Sequence, residues 1–303
     1  MKSKIDISII IPTYANSDRN RNLCDLLNAL RDQKRLDYSF EIIIVNNRKY
    51  SMEENGIIRR FKGYIKELRI VEDPVIGLSH ARNTGILKSR GDIIAFLDDD
   101  VVPSNDWLNS LMEAHRKYDA LCIGGPVIFK EERISFPNWF NDYYLRFLLP
   151  PKFPKYSCTI VEPFYLIGAN ISFKKDAFRR YGFFDESLGR KGRCLLSGED
   201  TEFVMRLKIK DIFFASEAIV FSKVKLNRLS YGFFIKRIFW QAISEARIVK
   251  KHGIIKLNDR DELMISRTIT KNLLRLLKEA KFFQSFCIML RIMTFKLTLL
   301  LKL

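Results

Sequence analysis

Over its first 125 residues the chain alternates short, almost continuous apolar runs with helical patterns, and nothing else in it restricts the fold as much. The runs are Ile7–Ile11 (ISIII), Glu41–Val45 (EIIIV), Leu68–Val71, Ile93–Leu97 and Leu121–Ile123. Between them Leu23–Asp32, Leu78–Ser89 and Trp107–Tyr118 read as helices. Strands that are apolar on both sides need cover on both sides, and helices spaced between them supply it. The pattern therefore predicts an α/β fold built on a parallel sheet. In such sheets ligands bind at the carboxyl ends of the strands.

One of those ends is unusual. The run Ile93–Leu97 passes directly into Asp98, Asp99 and Asp100. Adjacent ionised carboxylates repel one another, and three things relieve them: full solvation, a helix start, or a hard cation. Ser104 or Asn105 could cap the helix that follows. Mg²⁺ and Mn²⁺ prefer carboxylate and phosphate oxygens and commonly bind through one or two carboxylates plus a diphosphate. A second acidic pair, Glu199–Asp200, opens a helical stretch, where a carboxylate is suited to take a proton from a hydroxyl.

Six ordered segments carry a resemblance. They are SIIIPTYANS (Ser8–Ser17), EIIIVNN (Glu41–Asn47), GLSHARNTGI (Gly77–Ile86), FLDDDVVPSNDWL (Phe96–Leu108), GANISFKKDAFRRYGFFDESLG (Gly168–Gly189) and GEDTEFVMRL (Gly198–Leu207). Together they resemble glycosyltransferase family 2 over residues 5 to about 230. The resemblance implies a GT-A fold, with a Rossmann-like, mostly parallel sheet flanked by helices. It also implies a nucleotide-diphospho-sugar donor, a divalent metal (Mn²⁺ or Mg²⁺), and inversion at the anomeric carbon.

By that resemblance, Pro12, Thr13 and Tyr14 contact the nucleobase, usually uracil, with Asn47 beside them. Asp98 and Asp100 form an acid–x–acid motif in which Asp100 ligates the metal. Asp98 or Asp99 reaches the ribose or a metal-bound water. Arg82 either contacts phosphate or forms a structural salt bridge. Asp200 is the expected base and Glu199 positions the acceptor, with Asn170 and Asp185 as polar contacts in the acceptor site. The chain departs from the family in two places. Asn46 and Asn47 stand where an Asp is common, and Ser222 stands where a His often completes the metal site.

Residues 1–228 are expected to be the glycosyltransferase domain, with 1–125 binding the donor and 126–228 the acceptor. Residues 229–303 are expected to form a basic helical extension, with helices over 231–251, 259–281 and 282–303. From Phe221 onward there are 18 Lys and Arg against 5 Asp and Glu, so most of the +17 net charge lies there. A basic, apolar helix over 282–303 suits the headgroup plane of a membrane, or else packing on the catalytic domain; Arg291 and Lys296 argue against spanning. No nucleic-acid recognition motif accompanies the charge. The aromatic, proline-rich stretch 136–165 reads as irregular, a lid or a partner-facing loop.

Five scattered cysteines and an N-terminus without a signal-type apolar core predict a cytoplasmic protein with free thiols, working at the inner face of the plasma membrane. The acceptor expected there is a glycan or a lipid-linked glycan. The absence of QxxRW argues against processive synthesis. The alternative is a catalytically degenerate, membrane-associated subunit that only binds sugar nucleotides.

Overall fold

In the computed structural model the apolar runs become strands β1 (Ile7–Thr13), β2 (Phe40–Asn46), β3 (Leu68–Glu72) and β4 (Ile93–Leu97). The later strands are β5 (Val101–Pro103), β6 (Cys122–Gly124), β7 (Val127–Phe129), β8 (Cys158–Thr159), β9 (Asn170–Lys174), β10 (Ile212–Phe214) and β11 (Val220–Ser222). The helices are α1 (Ser17–Arg31), α2 (Ile57–Lys62), α3 (Leu78–Lys88), α4 (Trp107–Lys117), α5 (Asp142–Leu148), α6 (Lys175–Tyr181), α7 (Glu199–Met205), α8 (Tyr231–His252) and α9 (Phe282–Leu300). The structure describes residues 4–14, 17–34, 38–47, 56–130, 136–148, 153–159, 166–222, 228–253 and 282–300. The helix expected over 259–281 lies outside the described residues.

The strands pair in the order β3-β2-β1-β4-β9-β6-β10-β8, with a second small sheet β5-β11-β7. β1 to β4 are mutually parallel, as their apolar character predicts. β9 breaks the pattern by running antiparallel between β4 and β6, pairing Leu97 with Asn170. Along the strands, side chains alternate between two cores. Ile7, Ile9 and Ile11 join Ile42 and Ile44 on one face, while Ile10 joins Ile43 and Val45 on the other. α1 and α4 cover the first face through Leu23, Leu27, Trp107 and Leu111. α3, α6 and α7 cover the second through Ala81, Phe178 and Phe203.

Below β1 and β2 a buried carboxylate is fully compensated. Glu41 accepts from Ser8 Oγ at 2.7 Å, from the Arg90 backbone N–H at 2.7 Å and from Arg69 Nη2 at 2.7 Å. Burial raises its pKa, but these hydrogen bonds and that of the Arg90 side chain outweigh burial and hold it below the usual range.

The chain packs as two units. The first is Met1–Arg133 with Leu149–Ser187 and Glu199–Val224; the second is Ile134–Leu148 with Leu188–Gly198 and Lys225–Leu303. The first holds both sheets. The second is organised by aromatic rings: Trp139 stacks on Tyr231 at 4.3 Å, and buried Tyr144 meets Phe234 at 5.0 Å and Phe283 at 5.7 Å. Part of the stretch expected to be irregular is thus helix α5, whose Tyr143, Tyr144 and Phe147 recur at helical spacing and face this cluster.

Candidate active site

β1, β2 and β4 end together at one edge of the large sheet, where the register sets Thr13 beside Asn46 and Asn46 beside Glu72. Each Asp of the triplet has a different environment there. Asp99 is buried and accepts from Thr13 Oγ1 at 2.6 Å. Asp98 accepts from Arg82 Nη2 at 3.2 Å, with 38 % of its side chain exposed. Asp100 lines a shallow cleft with Asn22, Asp25, Val102, Lys130, Phe221 and Ser222.

Arg82 ties this triplet to the second acidic pair. It projects from α3, is 2 % exposed, and donates from Nη1 to Glu199 Oε1 at 2.6 Å. Its guanidinium also lies 5.8 Å from the ring centroids of Phe96 and Phe184. Burial alone would depress its pKa, but Glu199, Asp98 and Asp200 together raise it, so the charge stays. Burial raises the pKa of Glu199, Asp200 adds to this, and Arg82 opposes both. Asp98 is raised first by burial and then by Asp100, Asp99 and Asp200, against the pull of Arg82.

Gly168 makes the bridge possible. A Cβ there would fall 2.5 Å from Arg82 Nη2. The same residue's backbone N–H donates to Asp200 Oδ2 at 2.7 Å, while Thr201 N–H donates to Oδ1 at 2.7 Å. Asp200 is half-buried at the start of α7.

The expected site residues divide into two groups. Thr13, Asp98, Asp99, Arg82, Glu199 and Asp200 form the linked network just described, and Tyr14 stands 42 % exposed beyond the β1 end. Within the network, Arg82 makes the salt-bridge alternative, facing Asp98 and Glu199. Asp100 lines the cleft; Pro12, Asn47 and Asn170 are turned inward, and Asp185 is partly buried in a turn. Pro12 is buried within β1. Asn47 is buried and donates from Nδ2 to the Asp73 carbonyl at 3.2 Å. Asn170 is 1 % exposed, accepts from Trp107 Nε1 at 2.9 Å, and donates to the carbonyls of Pro126 at 3.0 Å and Ala218 at 2.7 Å. Its amide clamps β9 to neighbouring loops. Asp185 accepts from Ser187 N–H at 2.9 Å and shapes a turn.

Lys130 escaped the sequence reading. β7 carries it into the cleft, its backbone N–H donates to the Ser222 carbonyl at 3.1 Å, and its Nζ lies 5.2 Å from the Phe221 ring centroid. Only the pairing of β11 with β5 and β7 brings it near Asp100, and three-residue strands leave no periodic signal.

Among the described residues no group of three His, Cys, Asp or Glu converges as a metal cage. The side chains with oxygen donors that line the cleft are Asp100, Asp25, Asn22 and Ser222, with Asp98 two residues before Asp100. That set suits Mg²⁺ or Mn²⁺ completed by diphosphate and water.

A wound α/β sheet with acidic residues gathered at its carboxyl edge places this site where such sheets bind their ligands. Residues 8–182 match the pattern of Glycosyl transferase family 2, and the chain belongs to that family. It is 24 % identical over 247 residues to a glucosyl-dolichyl phosphate glucuronosyltransferase of Haloferax volcanii, covering 79 % of this chain and 76 % of that one. It is 32 % identical over 193 residues to the succinoglycan biosynthesis protein ExoM of Rhizobium meliloti, covering 62 % and 59 % respectively. It spans only 24 % of the length of chondroitin synthase from Pasteurella multocida. Among solved structures, mannosyltransferase PcManGT from Pyrobaculum calidifontis, in complex with GDP-Man and Mn²⁺, superposes with TM-score 0.62 at 15 % identity, covering 99 % of this chain and 88 % of that one. S. aureus TarS 1-349 with UDP-GlcNAc gives 0.56 at 14 % identity, covering 93 % and 90 %. The GT-A architecture implied by the sequence resemblance is the architecture of this chain.

Proposed function

We propose that this glycosyltransferase moves a sugar, with inversion, from a UDP-linked donor to a hydroxyl of a glycan or lipid-linked glycan, at the cytoplasmic face of a membrane. One observation carries the reading: buried Arg82 joins the Asp98–Asp100 triplet to the Glu199–Asp200 pair. Tying the two acidic motifs together fixes a donor-handling group relative to a proton-accepting group, and inversion requires that geometry. The relatives that act on glycan and dolichyl-phosphate sugars support the acceptor class.

Asp200 takes the proton of the acceptor hydroxyl. Its two backbone hydrogen bonds orient the carboxylate toward the acceptor hydroxyl, whose proton it takes as attack proceeds. The acceptor oxygen bonds to the anomeric carbon as the bond from that carbon to the diphosphate oxygen breaks, and the electron pair leaves with the diphosphate. Glu199, oriented by Arg82, holds the acceptor. Tyr14 offers a ring to the base, and Lys130 places a cation in the cleft beside Asp100. Asp100 and Asp98 are the residues to hold Mn²⁺ or Mg²⁺, which when bound offsets the charge of the departing diphosphate.

The test is turnover of labelled UDP- and GDP-sugars, with Mn²⁺ and with chelator, for the native chain and Asp200→Asn. The variant is expected to bind donor normally and lose about 10²–10⁴-fold in transfer, the usual contribution of a positioned base. Full turnover in the variant would refute the role of Asp200. Ser222 and the Asn46–Asn47 pair favour a second reading, a subunit that binds sugar nucleotides without reacting them. Binding without nucleotide release by the native chain would establish it.

A further inference from the structure

Helix α9 is inside out. Its buried side carries Ser285, Arg291, Thr294 and Thr298, with Cys287 as the sole apolar member among these. Its exposed side carries Phe286, Met289, Met293, Leu297 and Leu300, which are 49 %, 45 %, 65 %, 54 % and 78 % exposed. Those five positions follow one another at intervals of three or four residues and so form one continuous stripe. A helix covering a water-soluble protein shows the reverse pattern.

The charged member of the buried side is engaged by α8. Arg291 donates from Nη2 to Glu245 Oε1 of α8 at 2.5 Å and from Nε to Glu245 Oε2 at 3.1 Å. Thr298 donates to the Thr294 carbonyl at 2.8 Å. The cation in the middle of the helix is therefore neutralised against α8 and does not face the stripe's surroundings.

We propose that this stripe docks on an anionic phospholipid bilayer, with α9 lying in the headgroup plane. The occupant follows from charge. On α9 itself the exposed cation is Lys296, next to Leu297 in sequence, and α8 exposes Lys236, Lys250 and Lys251; from Phe221 onward the chain has 18 Lys and Arg against 5 Asp and Glu. An exposed apolar stripe on a strongly basic helical segment is the combination that anionic lipids stabilise. A second copy would oppose like charge to like charge.

Crossing the bilayer is also disfavoured. α9 holds α8 through Arg291–Glu245, and α8 carries Lys236, Arg237, Arg247, Lys250 and Lys251 along its length. Insertion of α9 across the hydrocarbon would either draw those charges in or leave Arg291 unpaired there. This inference concerns the second unit alone and does not rest on the catalytic reading.

The experiment is co-sedimentation of the whole protein with vesicles of phosphatidylcholine alone or with about one-third phosphatidylglycerol. Binding is expected to the anionic vesicles, to weaken as salt is raised, and to be released by alkaline carbonate. The double variant Met293→Glu, Leu297→Glu is expected to bind about tenfold or more weakly. The milder Met293→Ser, Leu297→Ser is expected to fall between, and thermal unfolding of each variant identifies a folding defect. Absence of binding by the native chain overturns the proposal. So does resistance to carbonate, which means a spanning helix. So does a soluble dimer that the variants dissociate, which means a protein partner.

Discussion

Replacing Arg82 by Met tests the link between the two acidic motifs. Met fills much of the same volume between Phe96 and Phe184 but removes the charge that faces Glu199 and Asp98. Asp98 is only partly buried, with 38 % of its side chain exposed, so water replaces part of what Arg82 supplied and it contributes less to the loss than Glu199. Glu199 has no such recourse, its side chain being 6 % exposed. Leaving a buried charge without its partner costs about 3–5 kcal/mol. The alternative is protonation of Glu199, which from an ordinary glutamate pKa costs about 3.5 kcal/mol at pH 7. The two routes converge, so a loss of about 3–4 kcal/mol is expected at pH 7. At pH 5 the protonation route costs only about 1 kcal/mol, and the deficit relative to the native chain must shrink toward that value. The sign follows from a Glu199 pKa raised in the folded variant: the penalty is absent below the unfolded pKa and grows as pH rises. Urea unfolding followed by tryptophan fluorescence at both pH values reads the difference. A deficit below about 1 kcal/mol at pH 7, or one that is equal at both pH values, would refute the argument that Arg82 offsets the buried charge of Glu199.

Three further outcomes follow from the same geometry. Gly168→Ala sets a methyl group 2.5 Å from Arg82 Nη2, so it should destabilise the fold by about 1–3 kcal/mol and reduce transfer, measured by urea unfolding and donor turnover; unchanged turnover would show that the bridge adjusts freely. Asp100→Asn should raise the Mn²⁺ concentration needed for half-maximal turnover by about tenfold or more while leaving thermal stability nearly unchanged, read from a metal titration of activity. Glu41→Gln should remove stability above pH 5 but little near pH 3: the native carboxylate's pKa is lowered, so its contribution is present above the unfolded pKa and fades as pH falls through the folded one; thermal unfolding across that range checks it.

How much of this was visible in the chain follows from the length scale of each signal. β1, β2 and β4 are five to seven residues of nearly unbroken apolar character, and such runs announce themselves. β5, β7 and β11 are three residues each, too short for any period to emerge, and so the cleft they form around Asp100 was invisible together with Lys130. The antiparallel course of β9 was hidden for another reason. NISFK is buried on both faces like its neighbours, and burial carries no information about direction.

Side-chain roles were less legible than side-chain identities. Arg82 and Asn170 occupy segments that carry the family resemblance, yet what each touches depends on residues far along the chain: 117 positions separate Arg82 from Glu199, and 63 separate Trp107 from Asn170. A motif reports that a polar group is required without saying whether a ligand or a buried partner requires it. Burial decides this for Asn170, which is 1 % exposed with both amide atoms hydrogen-bonded and so has no free face to offer. The same criterion inverts on α9. There the buried face is polar and the exposed face apolar, so the residues left outside, rather than those inside, carry the proposed bilayer contact.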